Sequence, residues 1–165
     1  MNKLLLVCLL ACAGFASCKK DEFNGSKTNL PAIPVTVSNV YGMFNGVPTV
    51  STSLSGGGAI SITLNIPAGS GRTIKEITRV GLGTVPTNFK VVETSTGLYN
   101  GAPIAGTGTS VNFTTTLAEF TAKSGINVTA SGTATSFLSR YFMFLITLDN
   151  GEQIFPVGVR IYIAA

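Results

Sequence analysis

The acid–base chemistry open to this chain is narrow. Its 165 residues include no histidine, which removes Ser–His and Cys–His nucleophile pairs and the commonest metal ligand. Its cysteines, Cys8, Cys12 and Cys18, all lie near the N-terminus. Gly56-Gly57-Gly58 has no Gly-Lys-Ser/Thr after it, so it reads as a turn and not as a phosphate loop. Carboxylates remain: Glu76, Glu93, Glu119, Asp149 and Glu152. A hydrolase would need two of them facing one cleft. Glu119 has a capping role, described below. Glu76 and Glu93 fall on wet faces near Lys75, Arg79 or Lys90. Asp149 and Glu152 flank a hairpin tip, where with Asn150 they offer either oxygens for a weak Ca²⁺ site or ordinary turn chemistry. The expectation is no catalytic residue, no cofactor and no bound metal.

Binding needs fewer special groups than catalysis. Two stretches place an aromatic beside an amide and a glycine: Tyr41-Gly42-Met43-Phe44-Asn45-Gly46 and Leu98-Tyr99-Asn100-Gly101. An exposed ring suits stacking on a sugar, and the amide supplies hydrogen bonds. Tyr41, Phe44, Asn45, Tyr99 and Asn100 are therefore the candidate ligand contacts. The competing expectation is that the rings fold back onto the ends of the core. The net charge of +4 includes Lys3, Lys19, Lys20 and Lys27. The other cations are spread along the chain, with no basic run interleaved with aromatics, so no nucleic-acid partner is expected.

The elements that must position these groups are mostly strands. Ser, Thr and Gly are abundant and charged residues are only 11%, which favours strands and turns over helices and excludes disorder by composition. Strands are expected from Val35 to Val40 and from Val47 to Leu54. Ala59 to Ile66 alternates apolar and polar residues, the pattern of a strand with one wet face. Thr73 to Leu82 is another, with Ile74, Thr78, Val80 and Leu82 on one face. Asn88 to Glu93 and Ser110 to Thr115 follow. Thr116-Leu117-Ala118-Glu119 fits a capping box, and Gly125 a stop, so a helix of about two turns is expected near 117–123. Tyr141 to Leu148 is almost continuously apolar, which argues a central strand buried on both faces. Asp149-Asn150-Gly151 turns the chain, and Gln153 to Ile163 returns as one strand with Val157, Val159, Ile161 and Ile163 sharing a face. Pro156 costs that strand a donor, so its start belongs at an edge or a bulge. Asn-Gly pairs at 24–25, 45–46, 100–101 and 150–151 are candidate tight turns.

The N-terminus has a different character. Met1-Asn2-Lys3 is positive, and Leu4 to Ala16 is apolar or small throughout. That run is shorter than the roughly 20 residues a transmembrane helix needs, and it suits the apolar part of a signal peptide. Phe15-Ala16-Ser17-Cys18 resembles a lipobox, the cleavage and lipidation site of bacterial lipoproteins. Phe15 stands where Leu is usual, and Leu9-Leu10-Ala11-Cys12 competes, but cleavage there would leave only about seven apolar residues before it. Cys18-Lys19-Lys20-Asp21-Glu22 resembles the start of mature surface lipoproteins of Bacteroidota-type bacteria. The resemblance implies residues 1–17 as signal peptide and a lipid on Cys18. It also implies an outer-membrane location with a surface-exposed domain. Residues 18–34, with charges, Asn24-Gly25-Ser26, Pro31 and Pro34, suit a flexible tether. Residues 35–165 form the folded domain, which carries no cysteine once the leader is removed, so no disulfide staples it.

About seven or eight short strands with frequent turns suggest an all-β antiparallel sandwich. Arg140 to Thr147, a Gly turn and a last strand resemble the final hairpin of immunoglobulin-like or fibronectin-type domains, with Tyr141 as the implied corner tyrosine. The domain lacks both Cys and Trp, which excludes the disulfide–Trp immunoglobulin type. The expected function is that of a non-catalytic envelope lipoprotein whose immunoglobulin-like sandwich binds a glycan or an envelope protein. Glycan capture is a frequent role in the lipoproteins it resembles. A structural module of a surface complex is the alternative, and a carboxylate hydrolase the third.

Overall fold

The computed structural model describes residues 31–128 and 136–164. The fold is all-β, with its strands arranged as a sandwich of three sheets. The first sheet holds β1 (Thr36–Val37), β4 (Ala59–Asn65) and β7 (Ser110–Thr116), in the order β1-β4-β7. The second holds β5 (Ile74–Gly83), β6 (Ile104–Ala105), β9 (Tyr141–Leu148) and β10 (Gln153–Ile154), in the order β10-β9-β5-β6. The third holds β2 (Gly42–Phe44), β3 (Val47–Ser53), β8 (Ser136–Phe137) and β11 (Arg160–Ala164), in the order β2-β3-β11-β8. A bridge between Phe142 and Val159 links the second sheet to the approach of β11.

Alternation builds the inner faces. Ile60, Ile62 and Leu64 of β4 and Val111 and Phe113 of β7 point inward, as their period of two requires. They meet Phe142, Phe144, Ile146 and Leu148 of β9 and Val159, Ile161 and Ile163 near the C-terminus in one core. The other face of β9 is buried too: Met143 and Leu145 pack with Val92, and Phe89, Val91, Tyr141 and Phe155 close around them. The continuous apolar run from Tyr141 to Leu148 thus serves two cores, as expected of a strand covered on both sides.

Besides a 3-10 turn at Ala68–Ser70, the described residues hold two α-helices, α1 (Lys90–Glu93) and the expected one, α2 (Leu117–Ser124). Thr116 accepts a hydrogen bond from the Glu119 amide, and Gly125 ends the helix at φ 69°. The reciprocal half of the capping box is absent: the Glu119 carboxylate instead accepts from the Thr115 hydroxyl, 2.8 Å away, and pairs with Lys123 at 2.7 Å.

Four expectations need correction. Asn88 to Glu93 is not a strand; Lys90–Glu93 is a single helical turn, α1, that lays Val92 under β9. Arg79 of β5 donates to the carbonyls of Val92 and Glu93 at 3.1 and 2.6 Å, a cation on the open end of that turn. Gly81 leaves room for it, since a Cβ there would lie 2.7 Å from the Val91 carbonyl. The face assignment of β5 also shifts. Register breaks between Ile74 and Glu76 and between Ile77 and Arg79 put Ile74, Ile77 and Val80 in the core, while Thr78 turns to meet Thr147.

Gln153 to Ile163 is not one strand. β10 stays with β9, the chain breaks at Pro156, and β11 crosses to another sheet. Val157 is left exposed, while Val159, Ile161 and Ile163 share the buried face. Finally, the strands outnumber the seven or eight expected, and they are not all antiparallel. β11 runs parallel to β3, with Arg160 opposite Thr49 and Tyr162 opposite Ser51.

Candidate functional site

The outer face of the third sheet carries the candidate site. Paired residues in a ladder share a face. Phe44 lies opposite Val47, Gly42 and Arg160 both lie opposite Thr49, and Tyr162 lies opposite both Ser51 and Phe137. Those pairings gather side chains from the β2–β3 hairpin and from β8 and β11, which lie far along the chain from it. The Tyr41 ring stacks on Tyr162 with centroids 5.1 Å apart and planes 6° apart, and it lies 6.4 Å from Phe44 in a parallel arrangement. Phe137 meets Phe44 and Tyr162 edge-on at 5.3 and 5.6 Å. Such offset and edge-to-face contacts are the favoured geometries of aromatic pairs.

The platform is built locally by a tight turn. Asn45 and Gly46 both have positive φ, 53° and 76°, which is the hairpin turn that matches strand twist. It fixes β2 on β3, so Phe44 projects over Gly42. A Cβ on Gly42 would meet the Phe44 ring at 3.2 Å, and glycine lets the ring lie flat there. Tyr41 is 58% exposed and Phe44 37% exposed. Phe137 and Tyr162 beneath them are half-buried. Asn45, exposed at the hairpin tip, stands beside the rings.

Arg160 completes this face. Its guanidinium lies over Phe137 at 4.1 Å and 5.6 Å from the centre of Tyr141, within cation–π range of both rings. Its Nε is buried and has no hydrogen-bond partner among the described residues. A buried donor left so costs about 1–3 kcal/mol. Among the described residues only cation–π contacts engage this cation, and the one ion pair is Lys123–Glu119.

The opposite side of the β2 hairpin lines a second feature. Val35, Val37, Val40, Met43, Pro48, Pro156 and Val157 surround an apolar cleft of about 330 Å³. Met43 is 61% exposed at its mouth.

Tyr41, Phe44 and Asn45 are thus brought together as the sequence suggests, but Tyr99 and Asn100 are elsewhere and do different work. Tyr99 is only 4% exposed. Its ring packs edge-on against Phe113 and Phe142, and its hydroxyl bonds Thr115 at 2.7 Å. Lys123 covers it at 4.5 Å and donates to its carbonyl. Burial raises the Tyr99 phenol above its ordinary value; the bond to Thr115 acts against this and the Glu119 charge adds to it. Asn100 accepts from the Val80 amide at 2.6 Å and donates to the carbonyls of Thr78 and Ala102. Both are structural, which realises for this loop the competing expectation that its ring folds onto the core.

The acids are placed as follows. Glu119 is held below the usual carboxylate range by hydrogen bonds from Lys123 and Thr115, burial opposing them. Glu76 accepts from Thr78, Glu93 is exposed on α1, and Asp149 accepts weakly from the Thr73 amide at 3.4 Å. Asn150 accepts from the Glu152 amide at 3.0 Å, and Gly151 turns at φ 84°. Among the described residues no three acids, cysteines or histidines cluster. Cys18, the expected lipid site, and Asn24-Gly25 lie outside the described residues.

Arg160, Phe137 and Tyr162 escape sequence reasoning. Each looks like an ordinary strand residue, and only the parallel pairing of β11 with β3 brings them to Tyr41 and Phe44. No family model, curated protein or solved structure matches this chain.

Proposed function

We propose that this chain is an exported lipoprotein, held at the outer membrane by a lipid on Cys18, with residues 18–34 as tether. Its sandwich presents the aromatic face of the third sheet to a glycan at the cell surface, without catalysis. One observation carries the binding role. Four rings, Tyr41, Phe44, Phe137 and Tyr162, form a continuous cluster on the outside of a sheet, where two of them stay open to solvent. A fold that needed these rings only for stability would turn them inward, as it does Tyr99. Flat exposed rings on a rigid sheet suit the apolar faces of pyranose rings, and Asn45 offers an amide at the edge.

Affinity electrophoresis through gels containing soluble polysaccharides tests this. The full-length chain is retarded by at least one polysaccharide, and Tyr41→Ala with Phe44→Ala abolishes the retardation. Equal retardation of the double variant would refute the site. Mass spectrometry of the membrane-extracted product tests the anchor. It shows a diacylated or triacylated Cys18 as the first residue, and an unmodified thiol there would refute that part.

A second reading draws on the apolar cleft beside β2. Exposed Met43, Val40 and Val157 at its mouth favour a protein partner, as in a structural module of a surface complex. Crosslinking in intact membranes distinguishes it: a single partner captured through Met43, with no polysaccharide retardation, supports the module.

A further inference from the structure

We infer that the aromatic face takes an acidic saccharide, with Arg160 holding the sugar carboxylate. This deepens the glycan reading and rests on it. The Arg160 guanidinium is fixed, not floating. Phe137 lies against it at 4.1 Å and Tyr141 at 5.6 Å, so two rings flank it before any ligand arrives. It stands on the same face of β11 as Tyr162, two residues along the strand, and opposite Thr49 of β3, which in turn faces Gly42 of β2.

A half-buried arginine normally answers its desolvation with a carboxylate or with carbonyl acceptors. This one has neither among the described residues, and its Nε is sealed from water with nothing to bond. Among the described residues, the half-buried Arg140 reaches only the Ser139 carbonyl, at 3.4 Å, while Arg79 and the more exposed Lys123 are paired. Lys123 bonds Glu119 and the Tyr99 carbonyl, and Arg79 bonds two carbonyls of α1. Arginine presents a planar fork that matches a carboxylate in two parallel hydrogen bonds. A sugar ring lying on Tyr41, the most open of the rings, while its carboxylate reaches that fork satisfies both halves of the site. The ligand class is therefore a uronate, a pyranose carrying a carboxylate on the ring.

The test uses calorimetric titration of the full-length chain with oligomers of galacturonate, glucuronate and mannuronate, each against its methyl ester. The ester keeps the ring and removes the charge. At least one acid form binds on the order of tenfold or more tighter than its ester, the worth of a charge-assisted hydrogen bond. Arg160→Gln binds acid and ester alike. Arg160→Lys keeps the charge but loses the fork, and falls between. In the unaltered chain the preference for the acid shrinks as salt rises from about 0.05 to 0.5 M, a readout independent of how the variants fold. Equal binding of acid and ester, or no binding of any acid form, overturns the role of Arg160. Should neutral oligosaccharides bind and Tyr41→Ala abolish it, the aromatic platform stands and only the uronate assignment falls. Should Tyr41→Ala leave uronate binding intact, the platform itself falls.

Discussion

The outer faces of two sheets that share one core meet water with different chemistry. On the β4–β7 face the side chains are small and polar. Ser61 and Thr63 both donate to the Asn112 side chain, at 3.0 and 3.2 Å. Asn39 extends the ladder beyond β1, donating to the Ser61 carbonyl at 2.7 Å and accepting from the Thr63 amide at 2.9 Å. On the β3–β11 face the side chains are large rings, and an arginine stands among them without a polar partner among the described residues. The first face is finished by its own hydrogen bonds. The second leaves apolar area and a cation unanswered, and that difference is why the second is assigned the ligand.

The comparison breaks most visibly at Phe137, the ring that touches Phe44, Tyr162 and Arg160. Phe137→Ala removes a half-buried ring and uncovers the guanidinium, and it costs about 2 kcal/mol in chemical denaturation. It also lowers saccharide affinity by tenfold or more. On the polar face, Asn112→Ala strands two hydroxyls that water can reach, and costs about 1 kcal/mol with binding unchanged. Removal of the helix cap in Thr116→Ala costs about 1 kcal/mol as well, again without touching binding. Tyr41→Ala sharpens the contrast from the other side. Its ring is more than half exposed, so stability falls by less than about 1 kcal/mol, while saccharide retention is lost. A binding loss without a stability loss is what separates a presented ring from a structural one.

The smallest expected effect lies in pH. Glu119 is held below its unfolded value by Lys123 and Thr115. Its contribution is thus fully present above the unfolded carboxylate range and is lost as pH falls through the lower folded value. Glu119→Gln is therefore less stable than the unaltered chain at neutral pH, and the two converge in acid. The gap is small because the pair is well exposed to solvent and screened. Denaturant midpoints at neutral and acid pH measure it.

What the sequence disclosed follows from whether the governing contacts are local. The alternation in Ala59–Asn65, the doubly buried run at Tyr141–Leu148, the Asn45-Gly46 turn and the Thr116 cap are each set by neighbours within a few residues. All four are present in the structure. Three failures share the opposite cause. Val91 and Val92 look like strand residues by their branching, yet tertiary contact under β9 holds them in a helical turn; Gly81, a glycine within a strand, was the available sign of a close approach. The faces of β5 moved because bulges reset its period. The return from Gln153 divided at Pro156, since the edge of β3 not taken by β2 offered β11 a parallel partner more than a hundred residues away in sequence. The candidate site was legible to the same extent. Tyr41, Phe44 and Asn45 belong to one hairpin and were visible; Phe137, Arg160 and Tyr162 depend on that distant pairing and were not. Tyr99 misled because an aromatic beside Asn-Gly looks like a loop tip, and nothing nearby in sequence announces Thr115 and Lys123 as its partners.

Photochemically induced dynamic nuclear polarisation tests the central claim most directly, because it polarises only solvent-accessible tyrosine, tryptophan and histidine rings. The chain has four tyrosines and neither tryptophan nor histidine, so every polarised signal belongs to a tyrosine. The account predicts a strong Tyr41 signal in the free chain, quenched when a bound saccharide covers the ring, and a silent Tyr99 throughout. A Tyr41 signal unchanged by a saturating ligand, or a polarised Tyr99, would contradict it.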